Sequence, residues 1–375
     1  MVWELQPRFP VDVNNRKRIL VCPLNWGLGH AGRCIPVIKY LLKHNHEVII
    51  GADDIALKFL QLEFPRLRSI VIPDISISYS RFNSQVFKIF WQIPKISKSI
   101  KEEHAFLHNL LQHNKFDMII SDNRYGLWNK NVHSVIMTHQ LMLKLPGMLK
   151  PFEKAMHKWI KRKVEKFNEC WVPDLEGFPN LSGDLSHKYV TGNVRYIGPL
   201  SQYSGKELNV ESKKTNDILA ILSGPEPQRT LLEEIFLKIF KGSFLKVKII
   251  QGRPEITKEK IVDNITIIPF LNGNSIFQEI NKSKIVICRA GYTTIMELAS
   301  LNAKIILIPT PGQTEQLYLS KHLSKQGFFC FMDQKSISMQ NILTIQDVFV
   351  RVYDSVNIPD TLRVNNLSTL QDIFA

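Results

Sequence analysis

The chain is poor in cysteine, and no two of its cysteines are closely spaced. Cys22, Cys34, Cys170, Cys288 and Cys330 are odd in number and scattered along 375 residues. That pattern excludes a CxxC-type zinc or redox site and a disulfide framework, and a reduced, cytoplasmic setting is expected. No apolar run reaches the roughly 18 residues that a spanning helix needs. Residues 1–13 carry acids and prolines in place of the apolar core of a secretory signal. No segment repeats at a fixed period. Positive charge, by contrast, is plentiful. Lys and Arg total 48 against 34 Asp and Glu, a net charge of +14, which favours an anionic partner.

Part of that charge is concentrated between residues 144 and 166. Pro151 suits a helix start. Phe152, Met156, Trp159, Ile160, Val164 and Phe167 follow at helical spacing, with lysines and Arg162 between them. A basic amphipathic helix of this kind fits an anionic membrane surface. It equally fits an ordinary helix that packs its stripe on the core and solvates its lysines. Residues 86–101 mix aromatics and lysines in the same way. A basic nucleic-acid-binding protein without catalysis is an alternative, but no recognisable module or aromatic stacking platform is present, so no nucleic-acid partner is expected.

Short apolar runs alternate with helical stretches along the whole chain. In the first half, strands are expected at 18–21, 47–50, 69–72, 117–121, 134–138, 169–172 and 189–190. Helices are expected at 35–43, 55–60, 96–111 and 151–167. Glycine, proline, serine and charged residues then interrupt the pattern near Pro199. It resumes with strands at 217–222, 247–251, 265–268, 284–288 and 304–309, and helices at 229–240, 273–281, 292–300 and 315–326. The expected class is α/β, with two parallel-sheet domains, 1–199 and 200–375, facing across a cleft. The last helix is expected to reach back to the first domain. In such sheets ligands bind beyond the carboxyl ends of the strands.

Several strand ends carry candidate chemistry. "CPLNWGLGHAGRC" spaces Gly27, Gly29 and Gly32 as G-x-G-x-x-G, and Asp53 and Asp54 follow at the distance a dinucleotide fingerprint requires. His30 stands where a phosphate would press close, so the glycines equally fit room for another ligand beside a histidine that takes a proton near neutral pH. Asp122 ends another strand and can orient that histidine. Asn123, Arg124 and His139 lie at neighbouring strand ends, where turn formation is the plainer use. In the second half, Ser223 and Gly224 form a strand-to-helix turn before Arg229, a phosphate-binding geometry. Arg289 and Gly291 open a helix with Thr293 and Thr294 in its first turn. Glu297 lies one turn beyond Thr293, on the same face. Its carboxylate suits two vicinal hydroxyls. Glu315 and Gln316 open a later helix, as ligand-reading groups or simply as its cap.

The stretch from Ile268 to Leu323, with "PF", "CRAGYTT…E" and "PTPGQTEQ" in order, resembles the C-terminal domain of glycosyltransferase family 28, in the GT-B superfamily. That family includes the bacterial N-acetylglucosaminyltransferase of peptidoglycan synthesis. "GLGHAGRC" and "LSGPEP" extend the likeness along the chain. The resemblance implies a GT-B fold of two Rossmann-like domains and an inverting transfer from a UDP-sugar, which is a substrate. No metal or other cofactor is implied. It assigns the ribose to Glu297 and the base to backbone groups at Pro269 and Phe270. Ser223, Gly224 and the segment from Arg289 to Thr294 take the diphosphate, and Glu315 with Gln316 the donor sugar. His30 becomes the base, with the acceptor held by the first domain around Gly27 and Gly29. A lipid-linked acceptor at the inner face of a membrane fits the basic stretch. "SGPEPQR" replaces the glycine-rich turn of the family's best-known member, and Gln316-Leu317 its paired glutamines, so the sugar stays open. A GT-B sugar-nucleotide epimerase is the other enzymatic alternative.

Overall fold

The computed structural model describes residues 16–73, 85–209, 211–224, 226–301, 303–352, 361 and 367, with backbone only for 85–93, 148 and 346–352. The N-terminal 1–13, Pro225, and the side chains of 86–93 lie outside the described residues. So does most of the segment after the last helix, including the expected return to the first domain.

The first sheet contains β1 (Arg18–Pro23), β2 (Glu47–Ala52), β3 (Arg68–Val71), β4 (Met118–Asp122), β5 (His133–Met137), β6 (Glu169–Val172) and β7 (Val194–Tyr196). Their order is β3-β2-β1-β4-β5-β6-β7, with parallel pairing throughout. The second sheet contains β8 (Asn216–Ile221), β9 (Val247–Ile250), β10 (Lys260–Val262), β11 (Ile265–Ile268), β12 (Ser283–Cys288), β13 (Ile305–Leu307) and β14 (Cys330–Phe331). Its order is β10-β11-β9-β8-β12-β13-β14, and only the β10–β11 pair is antiparallel. Central strands such as Ile19–Cys22 and Ile285–Cys288 are buried along their length, as a parallel sheet covered on both faces requires.

The helices are α1 (Leu28–Lys43), α2 (Asp54–Glu63), α3 (Gln85–His113), α4 (Glu153–Val164), α5 (Asp184–His187), α6 (Gln228–Phe240), α7 (Gly273–Asn281), α8 (Tyr292–Ala299), α9 (Thr314–Lys325) and α10 (Met339–Val352). One strand and one helix expectation need correction. The strand expected at 189–190 lies at Val194–Tyr196, a short edge strand only partly buried, which leaves little apolar signal to read. Helix α1 begins at Leu28, not Ile35, because Gly27 turns the chain at φ 92° and the following glycines continue as helix. His30 therefore sits in a first helical turn and not in an open loop.

In α4, Met156, Ile160 and Val164 are buried, together with Phe167, against Ile136 and Val172. The apolar stripe is spent on the core, and the lysines remain outside. Two of them cover rings, Lys163 over Trp159 and Lys166 over Trp128. Among the described residues, no helix is long and apolar enough to cross a membrane.

Each sheet reverses its winding direction once, at β1/β4 and at β8/β12. These are the switch points at which open α/β sheets bind ligands. His30 and Asp122 lie at the first, and Ser223 and the Arg289–Glu297 segment at the second.

Candidate active site

Asp122 ends β4 and is fully buried. Its carboxylate accepts Arg33 Nε at 2.8 Å and a second, shorter bond from Arg33 Nη2. His30 Nδ1 lies 3.1 Å from Asp122 Oδ2. Burial opposes the charge of Asp122, but Arg33 and then His30 override it, so the carboxyl titrates below its ordinary value. His30 keeps 18% of its side chain exposed and faces the cleft between the sheets.

Arg33 links this pair to a second histidine. Its Nη2 lies 3.0 Å from His30 Nδ1, and its Nη1 lies 3.3 Å from His139 Nδ1. A guanidinium only donates. His139 Nδ1 therefore accepts, and the network assigns its proton to Nε2, which donates to Glu315 Oε1 at 2.8 Å. Burial lowers the His139 pKa more than Glu315 raises it, so the ring is held neutral. His139 also stacks on Tyr292, with centroids 3.9 Å apart. Gln140 Nε2 bonds the other oxygen of Glu315.

Glu315 belongs to the second domain and His139 to the first, so these contacts close the cleft. Others reinforce them. Thr293 Oγ1 donates to the Gly29 carbonyl at 3.0 Å, and Tyr292 OH to the Pro173 carbonyl at 2.9 Å. The first turn of α1 thus faces the first turn of α8. A Cβ on Gly29 would lie 3.3 Å from Thr293 Oγ1, whereas one on Gly27 would meet nothing within 4 Å. Of these two glycines, only Gly27 borders open space.

The two turns expected to hold phosphate differ. At the start of α6, Glu226 accepts Thr230 N at 3.2 Å and Thr230 Oγ1 at 2.7 Å. It also holds Arg229 at 2.9 Å and Arg253 at 2.8 Å. Burial raises the Glu226 carboxyl, but Thr230 and Arg229 outweigh it and depress it to about 2. An internal anion therefore occupies this helix end and engages Arg229. Gly224 takes φ 96° and borders open space. At the start of α8, by contrast, Gly291 caps the helix with no side-chain bond, which leaves first-turn amides for a ligand.

Glu297 lies beyond that turn, and its carboxylate accepts Gln202 Nε2 at 2.7 Å. Burial, partly offset by that bond, raises the Glu297 carboxyl to about 7. Pro269 and Phe270 follow β11, and the Pro269 carbonyl accepts Arg253 N at 2.7 Å. Arg289 is turned inward at 1% exposure. It donates to the Gln228, Ile308 and Pro309 carbonyls and so ties the start of α6 to the end of β13. Burial without a carboxylate partner lowers it to about 10. Gln316 also points inward, accepting Thr310 N at 2.8 Å.

On the acceptor side, Arg124 is corrected to a core residue. It is fully buried, paired with Glu103 at 2.9 Å and bonded to the Pro73 carbonyl, because a charge at the end of β4 is buried only with such a partner. Asn123 takes φ 56° beside Asp122. Sequence reasoning missed Arg33, Arg253 and Gln202. Arg33 sits four residues into "GHAGR", and only its partner 89 residues away reveals it.

Two facing parallel-sheet domains with polar clusters at both switch points define the GT-B class. Residues 212–348 match the glycosyltransferase family 28 C-terminal domain, and the chain is a glycosyltransferase. It is 23% identical over 343 residues to an "uncharacterized glycosyltransferase" of Methanosarcina mazei, covering 83% of this chain and 84% of the relative. It is 27% identical over 199 residues to the UDP-N-acetylglucosamine–N-acetylmuramyl-(pentapeptide) pyrophosphoryl-undecaprenol N-acetylglucosamine transferase of Bacillus cytotoxicus, covering 50% of this chain and 53% of that one. The solved structure of the kitacinnamycin glycotransferase superposes with a TM-score of 0.66 at 12% identity, over 96% of this chain and 98% of that one.

Proposed function

We propose that the chain transfers a sugar from a UDP-sugar to a hydroxyl acceptor with inversion, and that the acceptor is lipid-linked or membrane-associated. The observation that carries this reading is the approach of the α1 and α8 first turns, joined by the 3.0 Å bond from Thr293 to Gly29. It brings the turn that carries His30 against the first turn of α8, which supports a base on one side and a diphosphate on the other. In the productive tautomer, His30 Nδ1–H donates to Asp122, with Arg33 Nη2 bonded to that carboxylate in place of the ring nitrogen, and Nε2 takes the acceptor proton. The acceptor oxygen bonds to the anomeric carbon as the bond from that carbon to the diphosphate oxygen breaks. UDP departs with the negative charge, stabilised by the α8 amides. Glu297 takes the ribose hydroxyls, and the backbone at Pro269 and Phe270 takes the base.

The name of the Bacillus cytotoxicus relative supports a UDP-linked donor and a lipid-linked acceptor. The lysine face of α4 supports contact with an anionic membrane, with Phe152 49% exposed beside it. A melting-temperature panel of UDP, dTDP, GDP and ADP tests the donor: UDP is expected to give the largest rise, because ligand binding stabilises the bound form. Equal shifts, or none, contradict the donor reading. Product analysis with UDP-sugars and lipid extracts then identifies sugar and acceptor.

A further inference from the structure

Gln202 belongs to the connector between β7 and β8, yet its side chain enters the second domain. Its Nε2 donates to Glu297 Oε1 at 2.7 Å. Its Oε1 fills the space that a Cβ on Gly273, the first residue of α7, would need. The connector is fastened on both sides of it. Leu200 N bonds Met296 Sδ at 3.4 Å, and Ser201 Oγ pairs with Ser300 Oγ at 2.8 Å. Tyr203 is buried with its ring 5.9 Å from Phe277, and Lys206 Nζ donates to Asn274 Oδ1 at 2.7 Å. The amide is thus wedged between Glu297 and the start of α7, which follows Pro269 and Phe270 after Leu271 and Asn272. This is the space between the groups proposed for ribose and base.

We infer that Gln202 is an internal stand-in for the ribose diol: its amide N–H occupies Glu297 in the empty chain and gives way to the vicinal hydroxyls of the nucleotide, so the connector sets donor affinity. The inference rests on the reading of this pocket as a UDP-sugar site. A primary amide and a vicinal diol both present donors to a carboxylate, so the two compete for one acceptor. The connector also joins the two domains, so the exchange at Glu297 occurs on the segment that links them.

Calorimetric titration with UDP and with 2′,3′-dideoxy-UDP tests the inference in wild type, Gln202→Ala and Gln202→Met. The Met variant keeps the length of the side chain and removes its donor. Both variants are expected to bind UDP more tightly, on the order of tenfold, the worth of one hydrogen bond to a charged group. Neither should change the affinity for the dideoxy nucleotide, which leaves Glu297 to Gln202. If wild type binds UDP and both variants bind it equally or more weakly, the inference is overturned and the donor reading stands. A variant that merely loosened the connector would lose affinity for both nucleotides, which also overturns it. If wild type does not bind UDP, the donor reading itself fails, and the inference with it.

Discussion

The two walls of the cleft solve the problem of buried charge differently. On the first-domain wall, Asp122 is matched by Arg33 and His30, and His139 is matched by Arg33 on one nitrogen and Glu315 on the other. The Arg33–Asp122, Arg33–His139 and His139–Glu315 links each have a fixed donor and acceptor, while His30 Nδ1 meets Asp122 or Arg33 according to its tautomer. On the second-domain wall, Glu297 has an amide for a partner and Arg289 has only carbonyls. One wall holds its geometry without a ligand, as a reacting group requires. The other leaves a raised carboxyl and uncapped amides, the groups proposed to receive a nucleotide diphosphate.

The largest effect should separate the walls by function. His30→Ala is expected to lower transfer by roughly 10²–10⁴-fold, the usual contribution of a general base, with UDP affinity unchanged. A variant with wild-type turnover removes His30 from the mechanism. Asp122→Ala tests the pairing itself. It leaves Arg33 buried without its carboxylate, an expected loss of about 3–5 kcal/mol in denaturant unfolding. An unchanged midpoint contradicts the account of this wall.

A smaller effect is expected from pH at Glu297. Its carboxyl is raised to about 7, so the neutral form stabilises the empty fold. That contribution is complete below the ordinary carboxylate value and is lost as pH rises through about 7. UDP binding runs the other way, because the ionised carboxylate accepts hydroxyls more strongly. Affinity should fall several-fold between about pH 8 and about pH 6, and Glu297→Gln should flatten the difference. The comparison isolates Glu297, since both proteins meet the same titrating UDP. The smallest effect is expected at the contact between the walls. Thr293→Val removes the bond to Gly29 and should cost about 1 kcal/mol of stability. No change would mean that the first-turn contact does not hold the domains together.

Much of the fold was readable in the sequence because buried parallel strands are nearly continuous apolar runs, and α7 falls at its expected residues, Gly273–Asn281. The strands that escaped, β7, β10 and β14, are two or three residues long and lie at or near sheet edges, where burial imposes little pattern. His30 and Glu297 drew notice because strand-to-helix junctions precede them, and Asp122 because it ends a strand. The partners that define their chemistry were not. Arg33 reads as one more basic residue until Asp122 is folded onto it. Gln202 lies in a stretch whose composition says only "linker". Arg124, at a strand end like Asp122, turned out to face the core, since strand-end position does not fix the direction of a long side chain.

The central claim is that nucleotide and proton transfer belong to opposite walls. Titration of UDP into wild type, His30→Ala and Glu297→Ala tests it most directly. The account predicts equal affinity for wild type and His30→Ala, and a loss of about tenfold or more for Glu297→Ala, the worth of a hydrogen bond to a charged group. Unchanged affinity in Glu297→Ala, or a comparable loss in His30→Ala, would contradict it.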